Sequence, residues 1–154
     1  MLKPLVPAGF ALAALILAAC NSKSNTVTPI SMCPSFPSSF TVALVYPANG
    51  ATGVSTTVNT IVVASNTTQG PGNAFSIQVV AASGGIQAIS TTTAAVPSPL
   101  PTPNTTPSFS NPVYYAYALS TALGAGQTYN VNAAYNNGTN CTLNFNNQIG
   151  SFRT

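Results

Sequence analysis

Few side chains in this chain have the chemistry that catalysis or metal binding requires. Asp, Glu and His are absent, and Lys and Arg together number three. General acid and base catalysis draws mostly on the missing types, and the many Ser and Thr hydroxyls have no His or carboxylate to activate them. Hard-metal sites need carboxylates, and zinc sites need His or several thiolates. The composition therefore predicts a protein that is not an enzyme, with no catalytic residue, no metal site and no cofactor.

Cys20 is the first of three cysteines, and it ends an apolar run that spans residues 5–19 and turns polar immediately afterwards. A membrane-spanning helix needs about 20 apolar residues, so this run is too short to cross a bilayer comfortably. With Lys3 ahead of the run and two small residues, Ala18 and Ala19, before the cysteine, the segment has the features of a cleaved signal peptide.

The four residues from Leu17 to Cys20 resemble the lipobox of bacterial lipoproteins. The resemblance implies a signal peptide over residues 1–19, a thioether between the Cys20 sulfur and diacylglycerol, and acylation of the freed amine, for example by palmitate. The implied partner is the membrane, reached through lipid on Cys20. Asn21 stands where an Asp would resemble an inner-membrane retention signal, which favours the outer membrane of a bacterial cell envelope. An ordinary secretory signal or a short anchor helix is the alternative.

Charge excludes one further class of partner. Once Lys3 leaves with the signal peptide, Lys23 and Arg153 are the cations that remain. Nucleic-acid binding requires many phosphate contacts from clustered Lys and Arg, which two isolated cations do not supply. We therefore expect no nucleic-acid partner.

Cys33 and Cys141 are the cysteines left after the proposed lipid site. In an exported chain, a pair of thiols most often forms a disulfide. A bridge between them would close a loop of about 109 residues, for which chain entropy gives on the order of 4 to 5 kcal/mol as an upper figure. Two buried or unpaired thiols are the alternative, because sequence does not show how close the two residues lie.

The rest of the chain divides into a tether and one β domain. Residues 20–40 are rich in Ser, Thr, Asn and Pro, which favours an extended, solvated tether. Residues 41–154 contain short runs of Val, Ile, Tyr and Thr separated by Gly, Asn and Pro, without helical periodicity. The predicted strands lie at 41–47, 60–65, 75–81, 114–120, 128–135, 141–145 and 149–154.

Seven to eight strands without crossover helices predict an all-β fold, an antiparallel sandwich, with a small closed barrel as the alternative. Residues 96–112 contain six prolines, which do not fit a central strand. This segment is either a surface loop that covers part of a sheet or a mobile linker.

Two motifs resemble immunoglobulin-like sandwiches. Residues 46–65 resemble the opening of bacterial immunoglobulin-like domains, with Pro47 followed by the Gly-Ala-Thr-Gly-Val run at 50–54. Leu123 and Tyr129 resemble the tyrosine corner of fibronectin type III and related sandwiches, which implies a hydrogen bond from the Tyr hydroxyl to the backbone a few residues upstream. The implied fold is an immunoglobulin-like β-sandwich, which carries no default active site.

Three functions fit this sequence. The first is a lipid-anchored, non-catalytic surface module with a structural or adhesive role and a protein or glycan partner at the cell surface. The second is a glycan or small-ligand binder that uses exposed tyrosines, with Tyr114, Tyr115 and Tyr117 as candidates; alternation puts Tyr115 and Tyr117 on one strand face and Tyr114 on the other. The third is a subunit that assembles through pairing of strand edges, favoured by the low charge.

Overall fold

The computed structural model describes residues 31–66, 74–84, 86–87, 89–100, 109–136 and 141–154. Its strands, in chain order, are β1 (Val42–Tyr46), β2 (Thr60–Ser65), β3 (Phe75–Ala81), β4 (Ile86–Gln87), β5 (Ile89–Ala94), β6 (Val113–Leu119), β7 (Thr128–Tyr135) and β8 (Asn147–Arg153). Within these described ranges there is no helix. The predicted all-β class is therefore confirmed.

The strands form two antiparallel sheets. One has the order β1-β2-β6-β5 and the other the order β4-β3-β7-β8. The chain crosses from the second sheet to the first between β4 and β5, which are separated by one residue. The two sheets face each other across a shared core, as expected for a β-sandwich.

The core lies between the sheets and is built by alternation along each strand. Inward positions of β2, such as Ile61 and Val63, pack with inward positions of β3 and β7, such as Val79 and Val131, and all four are almost fully buried. Aromatic side chains supply much of its volume. The largest fully buried aromatic residues are Phe75, Tyr117, Tyr129 and Phe152. Burial of such side chains dominates the free energy of a core of this kind.

A second, smaller apolar cluster covers the opposite face of the first sheet. Val45, Val62, Ala64 and Ala116 are buried there, at positions that alternate with the core positions of the same strands. Leu100 and Phe109 pack against this cluster, and they lie on either side of the centre of the proline-rich segment 96–112. The described parts of that segment therefore cover an outer sheet face, whereas residues 101–108 lie outside the described residues.

The β8 strand approaches β1 closely at Gly150. An added Cβ at Gly150 would lie 2.7 Å from Cβ of Leu44, so only glycine fits this position without a shift of the backbone. The register of β8 against β7 also shifts beside Gly150. Next to it, the Asn49 Oδ1 accepts a hydrogen bond from the Ser151 N–H at 3.0 Å.

The segment that follows Asn49 pairs with β8 in parallel. Ala51 bridges Phe152, the Val54 N–H donates to the Arg153 carbonyl at 3.0 Å, and the Arg153 N–H donates to the Ala51 carbonyl at 2.8 Å. Part of the outer edge of the second sheet is thereby occupied by the chain itself. An occupied edge has fewer unpaired backbone groups with which another chain could pair.

Two local differences from the expected strands stand out. Residues 141–145, which we expected to form a strand, make a single bridge from Thr142 to Met32. The strands β4 and β5 were not expected, because the Thr- and Ser-rich run from Ile86 to Ala94 has little of the apolar alternation that marks a half-buried strand.

Candidate functional site

The strand directions define two ends of the sandwich. At the first, β1, β3 and β8 begin while β2 and β7 end; this is called the disulfide end. At the second, β1, β3 and β8 end while β2 and β7 begin; this is called the Tyr46 end. Loops collect at the two ends of such a sandwich, and binding residues are commonly found on loops.

Cys33 and Cys141 are joined at the disulfide end, with a Cα–Cα distance of 5.0 Å. The Cys33 N–H donates to the Thr142 carbonyl at 2.8 Å, and the Thr142 N–H donates to the Ser31 carbonyl at 2.9 Å. The predicted disulfide is therefore confirmed, and the backbone on either side of it is paired as well. Cys33 itself is buried.

Aromatic side chains hold the same N-terminal segment against the sandwich. The rings of Phe36, Phe40 and Tyr135 make three mutual edge contacts, with centroids between 5.7 and 6.2 Å apart. Asn66, at the end of β2, accepts from the Thr41 N–H at 2.9 Å and donates from its amide to the Ser39 carbonyl at 2.8 Å.

These contacts place residues 31–40 against the folded domain, rather than in the solvated tether predicted for residues 20–40. The cause is long-range: partners of Cys33 and Phe36 lie at Cys141 and Tyr135, about a hundred residues along the chain. Residues 20–30 of that tether, and the signal peptide predicted at 1–19, lie outside the described residues. The predicted lipidation site, Cys20, lies outside them too.

Two shallow clefts adjoin at the Tyr46 end. The larger has a volume of about 350 Å³ and lies between Tyr46, the turn at residues 55–60 and Pro97. The smaller has a volume of about 250 Å³ and lies between Tyr46 and residues 47–55. Both are lined by Tyr46, Ser55 and Val58, so the two clefts adjoin. The Tyr46 side chain also packs against the apolar cluster on the outer face of the first sheet.

Polar groups without charge surround these clefts. Ser55 and Thr57 share a hydrogen bond of 2.8 Å between their hydroxyl groups, and the Thr60 hydroxyl donates to Asn59 Oδ1 at 3.1 Å. Ser55, Thr57 and Asn59 are exposed, whereas Tyr46 is half-buried. No Lys or Arg is among the residues that line either cleft. The chemistry available is aromatic contact combined with neutral hydrogen bonding.

The loop between β6 and β7 is fixed at the same end by Tyr129. Its hydroxyl accepts a hydrogen bond from the Gly124 N–H at 2.6 Å, five residues upstream. Thr154 holds the loop from the other side, because its hydroxyl donates to the Gly124 carbonyl at 2.6 Å and accepts from the Gln127 N–H at 3.0 Å. Leu123 is buried in the core beneath this loop.

The three tyrosines predicted for ligand binding do not form one exposed surface. Tyr117 is 1% exposed in the core, and Tyr115 packs against the same core, with its ring 5.5 Å from that of Phe75. Tyr114 lies on the opposite face, against the outer cluster that Leu100 and Phe109 cover. Alternation along β6 thus separates them, and a ligand cannot reach Tyr117 without unfolding.

Tyr117 also has an unusual hydroxyl. It is buried and has no hydrogen-bond partner within the described part of the chain. Burial raises the pKa of the Tyr117 hydroxyl strongly, and the nearby Tyr115 hydroxyl raises it further. Burial also raises the pKa of Tyr115. Both groups stay neutral at physiological pH, which suits a packing role.

The Tyr46 clefts were not predicted from sequence. Tyr46 ends a strand and the other lining residues lie mainly in a loop, so no periodicity relates them. The one available signal was the dense run of Ser, Thr and Asn from 55 to 60 beside an aromatic residue.

Across the described residues, no group of three or more His, Cys, Asp and Glu side chains is close enough together to hold a metal ion. The described ranges also contain no helix with the length and apolar character needed to span a membrane. Comparisons with protein-family models, with characterised proteins and with solved structures find no match to this chain.

Proposed function

We propose that the chain is a lipid-anchored protein of the bacterial cell envelope, which presents a non-catalytic immunoglobulin-like domain with a structural or adhesive role. The lipid is attached to Cys20, after removal of residues 1–19. The observation that carries this proposal is the combination of a lipobox-like segment with a two-sheet β domain that has no Asp, Glu or His.

The order of the strands supports the immunoglobulin-like part of the proposal. In immunoglobulin domains one sheet contains strands A, B, E and D and the other contains C, F and G. The strands β1 to β8 can be assigned in chain order as A, B, C, C′, D, E, F and G. The observed sheet orders are then A-B-E-D and C′-C-F-G. The parallel pairing of Ala51 with Phe152 then continues strand A alongside strand G.

The Tyr129 hydrogen bond gives independent support. A tyrosine near the start of strand F, bonded back to the backbone upstream, is a feature of such sandwiches. Tyr129 lies at the second position of β7, and its hydroxyl accepts from Gly124. The disulfide differs from the usual pattern, because it joins the segment before strand A to the segment between F and G rather than B to F.

The site of attachment gives the domain an orientation. Ten residues lie between Cys20 and Ser31, and a fully extended chain across that gap spans at most roughly 40 Å. Ser31 lies at the disulfide end, where its carbonyl accepts from Thr142. We infer that the disulfide end is nearer the bilayer and that the Tyr46 end is presented outward, which suits contact with material outside the membrane.

Metabolic labelling with palmitate tests the anchoring. The wild-type chain, expressed in a bacterium with lipoprotein-processing enzymes, should incorporate label and fractionate with membranes. Cys20→Ser should abolish the label, because only a thiol forms the thioether. Cys141→Ser is the matched control, and it should keep the label because its cysteine is remote from the processing site. Label that persists in Cys20→Ser would refute the anchoring.

A further inference from the structure

We propose that the paired clefts at the Tyr46 end bind a neutral saccharide. This inference rests on the proposed function, because it names what the outward end of an adhesive module contacts. Its geometric basis is the pair of adjoining clefts that share Tyr46, bounded by the loop at residues 47–59 and by Pro97.

Size and lining fit a small ligand. The larger cleft, at about 350 Å³, falls within the range of small-molecule sites. Tyr46, Val58 and Pro97 supply apolar surface for the C–H face of a sugar ring. The smaller cleft adjoins the larger one and shares Tyr46 with it, so that adjacent units of an oligosaccharide can occupy the two clefts.

Hydrogen-bonding groups at the rim match the hydroxyls of a sugar. Asn59 receives the Thr60 hydroxyl on its Oδ1, which leaves its Nδ2 as a donor without a partner in the described ranges. In the Ser55–Thr57 pair one hydroxyl proton is used between the two side chains, and the Ser55 Oγ also accepts from the Thr57 N–H at 3.2 Å, so the pair retains one donor and two acceptor positions. Neutral amides and hydroxyls pair with hydroxyls without the desolvation penalty that a charge would bring.

The lining disfavours two other classes of ligand. A charged ligand would lose hydration without meeting an opposite charge among the lining residues, and such a loss is costly. An extended peptide would need an unpaired strand edge, but residues 55–58 form a turn in which the Val58 N–H donates to the Ser55 carbonyl at 3.1 Å. The Asn59 carbonyl already accepts a hydrogen bond from the Leu119 N–H at 2.7 Å, so it is not free to pair with a peptide strand.

Saturation-transfer NMR on the full chain, in a detergent without a sugar headgroup, tests the proposal. The probes are maltotriose, cellotriose and the trimer of N-acetylglucosamine, compared with the cationic glucosamine trimer and an anionic galacturonate trimer. We expect at least one neutral trimer to show transfer, and to broaden or shift the Tyr46 ring signals, while the charged trimers show none.

Substitutions locate the site. Asn59→Ala removes an exposed donor and should weaken binding by about 2- to 10-fold, the equivalent of one neutral hydrogen bond. Tyr46→Ala should weaken binding by 10-fold or more, and Tyr46→Phe, which keeps the ring, should retain most of it. Asn146→Ala is the matched control, because Asn146 is also an exposed amide but lies outside both clefts; it should leave the affinity unchanged.

Three results would overturn the proposal: transfer to no neutral trimer, equal transfer to charged and neutral trimers, or binding that Asn59→Ala and Tyr46→Ala leave unaltered. Tyr46→Ala is interpreted only if its circular dichroism matches wild type; if it unfolds, Asn59→Ala compared with Asn146→Ala decides the question. None of these results bears on palmitate labelling of Cys20, so failure of the saccharide proposal and failure of the anchoring are distinguishable.

Discussion

The two ends of the sandwich are held together by different means. At the disulfide end, a covalent bond to Cys141, an aromatic cluster with Tyr135 and the Asn66 amide fasten residues 31–41 to segments that lie far away in sequence. At the Tyr46 end, the backbone pairing of residues 51–54 with the end of β8 and the Tyr129 hydrogen bond fix the loops. The disulfide end is therefore held by several independent contacts. The Tyr46 end is held by a few contacts, and clefts remain open beside them.

This difference accords with the proposed roles of the two ends. If Cys20 is lipid-anchored as proposed, the disulfide end carries any force applied to the domain, and the disulfide keeps residues 31–40 attached under that force. The end presented outward needs fixed loops with accessible groups. The predictions below separate the two ends, beginning with the largest expected effect.

Removal of the disulfide should give the largest loss of stability. In the double variant Cys33→Ser and Cys141→Ser, we expect the free energy of unfolding to fall by about 2 to 5 kcal/mol, because the unfolded chain is no longer cross-linked over a long loop. Chemical denaturation of the purified protein measures this loss. Hydrogen exchange should increase first at Cys33 and Thr142, while Gly124 and Val54 at the other end keep their protection. An unchanged denaturation midpoint would show that the disulfide adds no stability beyond that of the aromatic cluster.

Gly150→Ala should damage the contact between the middle of β8 and the middle of β1. Its new methyl group would meet Cβ of Leu44, which is fixed to the backbone and has little freedom to move. We expect a loss of about 1 to 3 kcal/mol in the free energy of unfolding, typical of overpacking. Gly124→Ala is the control, because its added methyl meets the flexible Gln127 side chain at 3.3 Å. Equal losses in the two variants would contradict this account of Gly150.

Two tyrosine variants compare a buried hydroxyl that has a hydrogen-bond partner with one that has none in the described part of the chain. Tyr129→Phe removes the acceptor of the Gly124 N–H and should cost about 0.5 to 1.5 kcal/mol. Tyr117→Phe removes a buried hydroxyl that lacks a partner among the described residues, so it should be neutral or stabilising. Thermal denaturation of both variants provides the measurement, and the reverse ranking would refute the assigned contacts.

The free energy of unfolding should depend little on pH between about pH 4 and 9. The chain has no Asp, Glu or His, the side chains that most often change charge in or near that range, so stability should stay nearly flat there. Above about pH 10, Tyr117 ionises in the unfolded chain but keeps its proton in the fold, where its pKa is raised. The unfolded state then binds fewer protons, so stability falls as pH rises. Tyr117→Phe should reduce this alkaline loss, and an equally steep loss in that variant would assign it to other groups.

Sequence alone predicted the parts of the molecule that depend on local alternation. The strands predicted at 60–65, 75–81 and 128–135 coincide with β2, β3 and β7, and the split of Tyr114 from Tyr115 and Tyr117 follows from the period of two along a half-buried strand. The absence of Asp, Glu and His likewise limited the chemistry that any site could have, wherever the chain folded.

Local alternation does not predict contacts between segments that are far apart in the chain. Residues 31–40 have too few apolar groups to predict a docked segment, and their attachment depends on Tyr135 and Cys141, whose proximity no local pattern encodes. The Tyr46 clefts depend on where a loop and Pro97 meet after folding. In both cases the decisive quantity is a distance between residues far apart in the chain.

The central claim is that lipid on Cys20 anchors this domain, and intact mass spectrometry of the protein extracted from membranes tests it most directly. We predict a chain that begins at Cys20, carries the added mass of diacylglycerol and acyl groups, and lacks two hydrogens because Cys33 and Cys141 are joined. A mass that corresponds to an unmodified Cys20, or to a chain that still contains residues 1–19, would contradict the account.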